Sequence, residues 1–265
     1  EFLGAHTRPG RYGGSFENRT RILREIVAGI RADDNAIDLG VRVSAFDIVP
    51  HRPDAAQSRP GKLGPGIPEE FETPYPFQFS INHDDPTQID LSETFQFVEL
   101  CGQLGVKLLN ISAGSPYYNP HCQRPAAYPP SDGYQPAHDP LLDVARLLDA
   151  ARQLRDKLPA GMALVGTGYS YLQEFLPLVA QAVVRSGGAD IVGLGRMVLS
   201  YPCFPADVLA NDTLQKRLIC RTFSDCTTGP RNGEISGCYP LDAYYKDMPQ
   251  AITIKGLRKE AMGRT

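Results

Sequence analysis

At 265 residues, with a net charge of −3 and a pI near 6.0, the chain has no general attraction for phosphate backbones or anionic lipid, so nucleic acid and membrane surfaces drop out as expected partners. Its 42% hydrophobic and 22% charged content is that of an ordinary globular chain. No apolar run approaches the roughly 20 residues of a membrane helix. Six cysteines without even, tight spacing argue against a secreted disulfide framework and leave a reducing cytoplasm as the expected compartment.

In chain order, the opening "EFLGAHTRPG" reads as the middle of a loop, and "RYGGSFENRTR" (residues 11–21) ends in a helix start with Ser15 as N-cap. Ile22, Leu23, Ile26, Val27 and Ile30 then share one helical face. A first strand follows in "DLGVRVSA" (38–45), then a long connection over 46–90. Phe97, Cys101 and Leu104 mark a second helix stopped by Gly105, and "VKLLNISAG" (106–114) is a second strand. The connection 115–138, like 46–90, is rich in Pro, Gly, Tyr and His. Asp139 and Pro140 open the helix "LLDVARLLDAARQLRDKL". Strand "MALVGTG" (162–168), a helix over Phe175 to Arg185 ended by Gly187 and Gly188, and strand "ADIVGLG" (189–195) complete the alternation. Alternating strands and helices predict an α/β protein with a parallel sheet. The elaborate loops all follow strands, which is where such folds place their sites.

Chemistry concentrates at those strand ends. Gly166, Thr167 and Gly168 close one strand, and Gly195 with Arg196 closes the next. Glycines let backbone N–H groups approach an anion, and an adjacent Arg completes a phosphate cradle; the same glycines also serve simple tight turns. In "VRVS", alternation puts Val41 and Val43 on one face and Arg42 and Ser44 on the other. A buried Arg42 needs an anion or a structural ion pair. Tyr117 and Tyr118 either line a substrate pocket or pack a loop. His121 and Cys122 sit side by side, yet nothing in the sequence supplies further metal ligands, and His121, His51, His83 and His138 read as loop surface. A (β/α)8 barrel needs about 250 residues, yet only four strand patterns are visible, enough for half of one.

The segments "RYGGSFENRTRILREIVAGIR", "VRVS", "VGTGYS" and "GADIVGLGRMVLSYPCFP" resemble, in order and spacing, the signatures of the Old Yellow Enzyme family of FMN-dependent NAD(P)H:flavin oxidoreductases. The resemblance implies a (β/α)8 TIM barrel of which residues 1–265 are the C-terminal half, strands 5–8, with a cysteine-containing tail from about 220. It implies FMN with Arg42 at the N1/O2 side of the flavin, and with its phosphate held by backbone groups of Gly166, Thr167, Gly168 and Gly195 together with Arg196. NADH or NADPH would donate hydride, and an activated alkene or similar small molecule would accept it. The proton-donating and substrate-anchoring residues are expected upstream of Glu1, and a homo-oligomer is compatible with this reading. The tail "LICRTFSDCTTGPRNGEISGC" is similar to that of relatives such as 2,4-dienoyl-CoA reductase and trimethylamine dehydrogenase, which carry a [4Fe–4S] cluster there. Here Cys220, Cys226 and Cys238 remain while Phe223 stands at a ligand position, so no cluster is expected. Two rival readings stay open: a flavin-free phosphate-binding barrel enzyme, for which Lys107 is the sole strand lysine, and a non-catalytic half-barrel.

Overall fold

Side-chain alternation in the strands decides which face of the sheet packs. In β1 (Leu39–Ser44), Val41 and Val43 turn toward the core, while Gly40 and Arg42 are exposed. In β4 (Val106–Ser112), Leu109 and Ile111 are buried and Leu108 is 39% exposed; in β5 (Ala163–Gly166) Leu164 is buried. The computed structural model describes residues 1–210 and 213–261. Its main sheet is parallel, in the order β1-β4-β5-β6, with β6 (Ile191–Val192) at one edge and Arg42 in register with Asn110. A short antiparallel hairpin of β2 (His51–Pro53) and β3 (Gly66–Pro68) lies within the first long connection.

One face of the parallel sheet is covered. Phe97, Val98 and Cys101 of α2 (Ser92–Gln103), with Leu147, Ala150, Ala151 and Leu154 of α4 (Pro140–Arg155), pack on Val43, Leu109, Ile111 and Leu164. A second cluster joins Leu176 of α5 (Leu176–Arg185) and Phe204 of α6 (Phe204–Leu209) to Tyr169, Met197 and Tyr201. The opposite face, with Arg42, Leu108 and Ile191, has no covering layer among the described residues, and the described strands do not close a barrel. The fold is therefore mixed α/β with an open four-stranded parallel sheet.

The start of α1 (Phe16–Asp33) follows the predicted cap: the Ser15 Oγ accepts the Asn18 N–H at 3.3 Å. Asp139 caps α4 through the Leu141 N–H, 2.9 Å away. Ile26, expected on the buried face of α1, is 54% exposed, because α1 is packed along the narrower stripe of Thr20, Leu23 and Val27. The strand expected over 189–195 shrinks to two residues. Its approach is held by a side chain instead: Asp190 Oδ2 accepts the Leu164 N–H at 2.8 Å, and Arg155 donates to Oδ1.

Candidate functional site

The "YGGSFENR" box, the most distinctive stretch of the sequence, builds a frame around the start of α1. Arg19 is 4% exposed, donates to the Gly14 and Leu3 carbonyls, and forms a two-pronged ion pair with Glu93 of α2, its Nη1 lying 3.3 Å from Glu93 Oε2. Asn18 Nδ2 donates to the Gly13 carbonyl at 3.2 Å. These residues tie the first segment to α2 and lie outside both cavities described next.

Two cavities open above the C-terminal ends of the parallel strands and share Arg42 and Gln123. One, of ≈ 600 Å³, is lined by Thr167, Gly168, Gly195, Arg196, Arg124 and Tyr171. The other, of ≈ 670 Å³, is lined by Asp47, Tyr75, Phe79, Tyr117 and Tyr118. Arg42 stands at the junction. The expectation that burial would force it to find a partner is corrected: it is exposed on the uncovered face of the sheet.

In the first cavity, β5 ends at Gly166, whose carbonyl accepts the Gly193 N–H at 2.8 Å, so this glycine belongs to the ladder and does not line the cavity. The Thr167 hydroxyl donates to the Ile111 carbonyl at 2.6 Å. Gly168 has φ +100, and a Cβ there would meet Leu147 Cδ1 at 2.6 Å, so both backbone and space demand glycine at this turn. Gly195 and Arg196 open a 3-10 turn (Arg196–Leu199) on the opposite wall. Arg196 Nη1 donates to Thr227 Oγ1 at 2.8 Å. Its pKa is lowered to about 10, by burial first and then by the positive charge of Arg124; it remains protonated at neutral pH.

Arg124, in the long connection after β4, was missed from sequence. It donates from Nη1 to Ser224 Oγ at 2.9 Å, and its Nη2 lies 3.6 Å from Cys220 Sγ. Its sequence signal was its place in a loop on the C-terminal side of a strand; its partners are near 220 and could not be found by spacing. None of Arg42, Arg124 and Arg196 forms an ion pair with a carboxylate among the described residues. The residues that could hold an anion are these three guanidinium groups, which line connected cavities, two of them close enough to repel. The donor set fits a phosphate monoester.

Tyr117 and Tyr118 both reach the second cavity. Tyr117 is 79% exposed with the Arg231 guanidinium over its ring, and burial raises the Tyr118 pKa above its ordinary value. Lys107 is exposed at the start of β4, the end remote from these cavities. His121 corrects the surface expectation. It is 7% exposed, with Nε2 2.9 Å from the Tyr134 carbonyl and its ring against Tyr134, while its Nδ1 is buried without a hydrogen-bond partner among the described residues. His51 and His83 likewise bond to backbone carbonyls, of Val49 and Tyr75, and His138 pairs with Asp143 at 3.0 Å. Cys122 is buried, which pushes its thiol well above the ordinary range.

Phe223 stacks on Tyr128 with ring centroids 5.5 Å apart and lies beneath Arg258, so an aromatic contact occupies the expected ligand position. Arg124 lies against the Cys220 sulfur, and burial raises Cys238 to about 11. Among the described residues no group of three or more His, Cys, Asp or Glu side chains is disposed to hold a metal ion, and no helix is long and apolar enough to cross a membrane.

No family model matches the chain. Among solved structures it is similar to morphinone reductase in complex with tetrahydroNAD, with a TM-score of 0.43 and 18% identity, over 81% of this chain and 40% of that one. The chain thus spans well under two thirds of the length of that protein.

Proposed function

We propose that this chain forms the FMN-binding part of an NAD(P)H-dependent oxidoreductase that reduces an activated alkene or a similar small acceptor. The observation that carries the reading is the set of Arg42, Arg124 and Arg196 on joined cavities, none of them ion-paired to a carboxylate among the described residues. Half-buried guanidinium groups that repel one another are stabilised by an anion between them, and a phosphate dianion meets both Arg forks at once. Arg124 and Arg196 would hold the FMN phosphate near Gly168 and Gly195, and Arg42 would face the flavin ring. Bound FMN would supply hydride transfer, while the protein positions the ring and tunes it. The flavin-free rival needs a working Lys or Glu at a strand's C-terminal end. Lys107 is at the wrong end of β4.

The test compares FMN with riboflavin, which has the same ring and no phosphate, by fluorescence quenching. FMN should bind far more tightly, and Arg124→Met or Arg196→Met should each cost about ten- to a hundredfold in FMN affinity, since a charged hydrogen bond is worth about 1.5–3 kcal/mol. Riboflavin affinity should hardly change. Equal affinities for the two flavins in the unaltered protein would sink the reading.

A further inference from the structure

A third cavity, of ≈ 310 Å³, lies in the C-terminal tail and shares no lining residue with the two at the strand ends. Residues of α7 (Asp225–Arg231), α8 (Ala243–Lys246) and α9 (Gln250–Ala261) form it, with Tyr239 and Pro240 from the connection between. On α9, Ala251, Ile254, Lys255 and Arg258 fall at i, i+3, i+4 and i+7, so one face of that helix supplies a wall. Ile254 and the Tyr239 ring are buried and apolar, and the Tyr239 hydroxyl is occupied by the Ile235 carbonyl, 2.7 Å away.

Two polar groups of this lining are incompletely paired. Asp225 is 4% exposed; its Oδ2 meets Arg258 Nη1 at 3.3 Å, while its Oδ1 is buried without a hydrogen bond among the described residues. Arg258 lays its guanidinium over the Phe223 ring, and its Nε is likewise buried without an acceptor among the described residues. A buried donor or acceptor left unpaired costs free energy that a ligand's hydrogen bond returns. Charge is out of balance as well. Lys246, Lys255 and Arg258 line the cavity against the single carboxyl group of Asp225, and neither lysine pairs with Asp or Glu among the described residues.

We propose that this cavity is a separate ligand site, for a small phosphate monoester that carries a hydroxyl group on its carbon skeleton. The phosphate, close to a dianion at neutral pH, meets Lys246 and Lys255 and accepts a hydrogen bond from Arg258. The hydroxyl donates to the open oxygen of Asp225, and the carbon skeleton rests against Ile254 and the Tyr239 ring. Inorganic phosphate would leave that oxygen unpaired and bring negative charge toward a carboxylate. A neutral polyol would leave the three cations unbalanced. Only a ligand with both groups answers both features of the lining. The assignment does not depend on the FMN reading, because none of these residues reaches the strand-end cavities.

Equilibrium dialysis of the full chain against labelled glycerol 3-phosphate, inorganic phosphate and glycerol tests the assignment. Glycerol 3-phosphate should bind about tenfold more tightly than either of the other two, the worth of one hydrogen bond to a charged group. Lys246 and Lys255 are exposed, so the double variant Lys246→Ala/Lys255→Ala should fold and should weaken binding of the ester by about tenfold or more. Asp225→Leu should bring the ester down to the level of inorganic phosphate. Arg196→Met, altered in the strand-end cavity, should keep the lysine-dependent binding in full. Equal binding of ester and inorganic phosphate by the unaltered protein overturns the assignment, as does absence of binding or unchanged binding in the double lysine variant. Loss of binding in Arg196→Met also overturns it, by placing the ester at the strand ends. If Asp225→Leu does not fold, the lysine variant and the three probes decide.

Discussion

Arg42, Arg124 and Arg196 bring the same charge to one region, but their surroundings give them different work. Arg196 and Arg124 are half-buried and aimed by hydroxyls, Thr227 and Ser224, whereas Arg42 projects from the middle of a strand with no hydrogen-bond partner among the described residues. Aimed guanidinium groups select the position of an anion; an unconstrained one acts mainly through its field. A flavin ring becomes anionic near N1 on reduction, so a positive charge there favours the reduced state. In the FMN-loaded protein, Arg42→Met should lower the flavin's reduction potential with a smaller loss of affinity than Arg196→Met. Potentials of both variants, measured by dye equilibration, check this. An unchanged potential in Arg42→Met together with a shifted one in Arg196→Met would reverse the assigned roles.

Between elements, the Arg19–Glu93 pair joins α1 to α2 at a point where Arg19 has almost no contact with solvent. Removing one partner of a buried pair leaves the other uncompensated, at a cost of about 3–5 kcal/mol. Glu93→Ala should therefore lose most of that stability in urea unfolding, although Glu93 lies outside both cavities. A loss within about 0.5 kcal/mol would show that the pair is exposed in solution or is replaced by the Gly14 and Leu3 carbonyls that Arg19 also meets. The same logic explains why the YGGSFENR box is so distinctive: its residues hold a helix start and two backbone segments together. They line neither of the two cavities.

For the molecule as a whole, the sheet is the anomaly. Parallel sheets are almost always covered on both faces, yet here one face leaves Leu108 39% and Ile191 46% exposed, and β1 and β6 are both free edges among the described strands. Exposed apolar surface and unpaired strand edges favour association. Residues 1–265 prepared alone should self-associate at micromolar concentrations, and light scattering after gel filtration should show species larger than one chain. A strictly monomeric protein across that range would mean that the open face is tolerated in water.

The sequence by itself determined the four main strands, the helices between them and their order. Period-two alternation in 39–44, the apolar run of 106–112, the caps at Ser15 and Asp139, and the stop at Gly105 are properties of neighbouring residues, and the alternation of strand and helix was enough to predict a parallel sheet. It also marked Gly168, Gly195 and Arg196 as facing one place, because strand ends of a parallel sheet share an edge. Tertiary structure alone decided the rest. Arg124 joins the cavity of Gly168, Gly195 and Arg196 and is tied there to Ser224, 100 residues away, and Arg19 was buried by Glu93, 74 residues on. His121 moved from expected surface to core because Tyr134 covers it, and Gly166 left the site because its carbonyl completes the ladder to Gly193. Local pattern records what the backbone does over a few residues. Burial and charge pairing are settled by whichever distant segment folds back against a side chain, and no spacing in the chain encodes that partner.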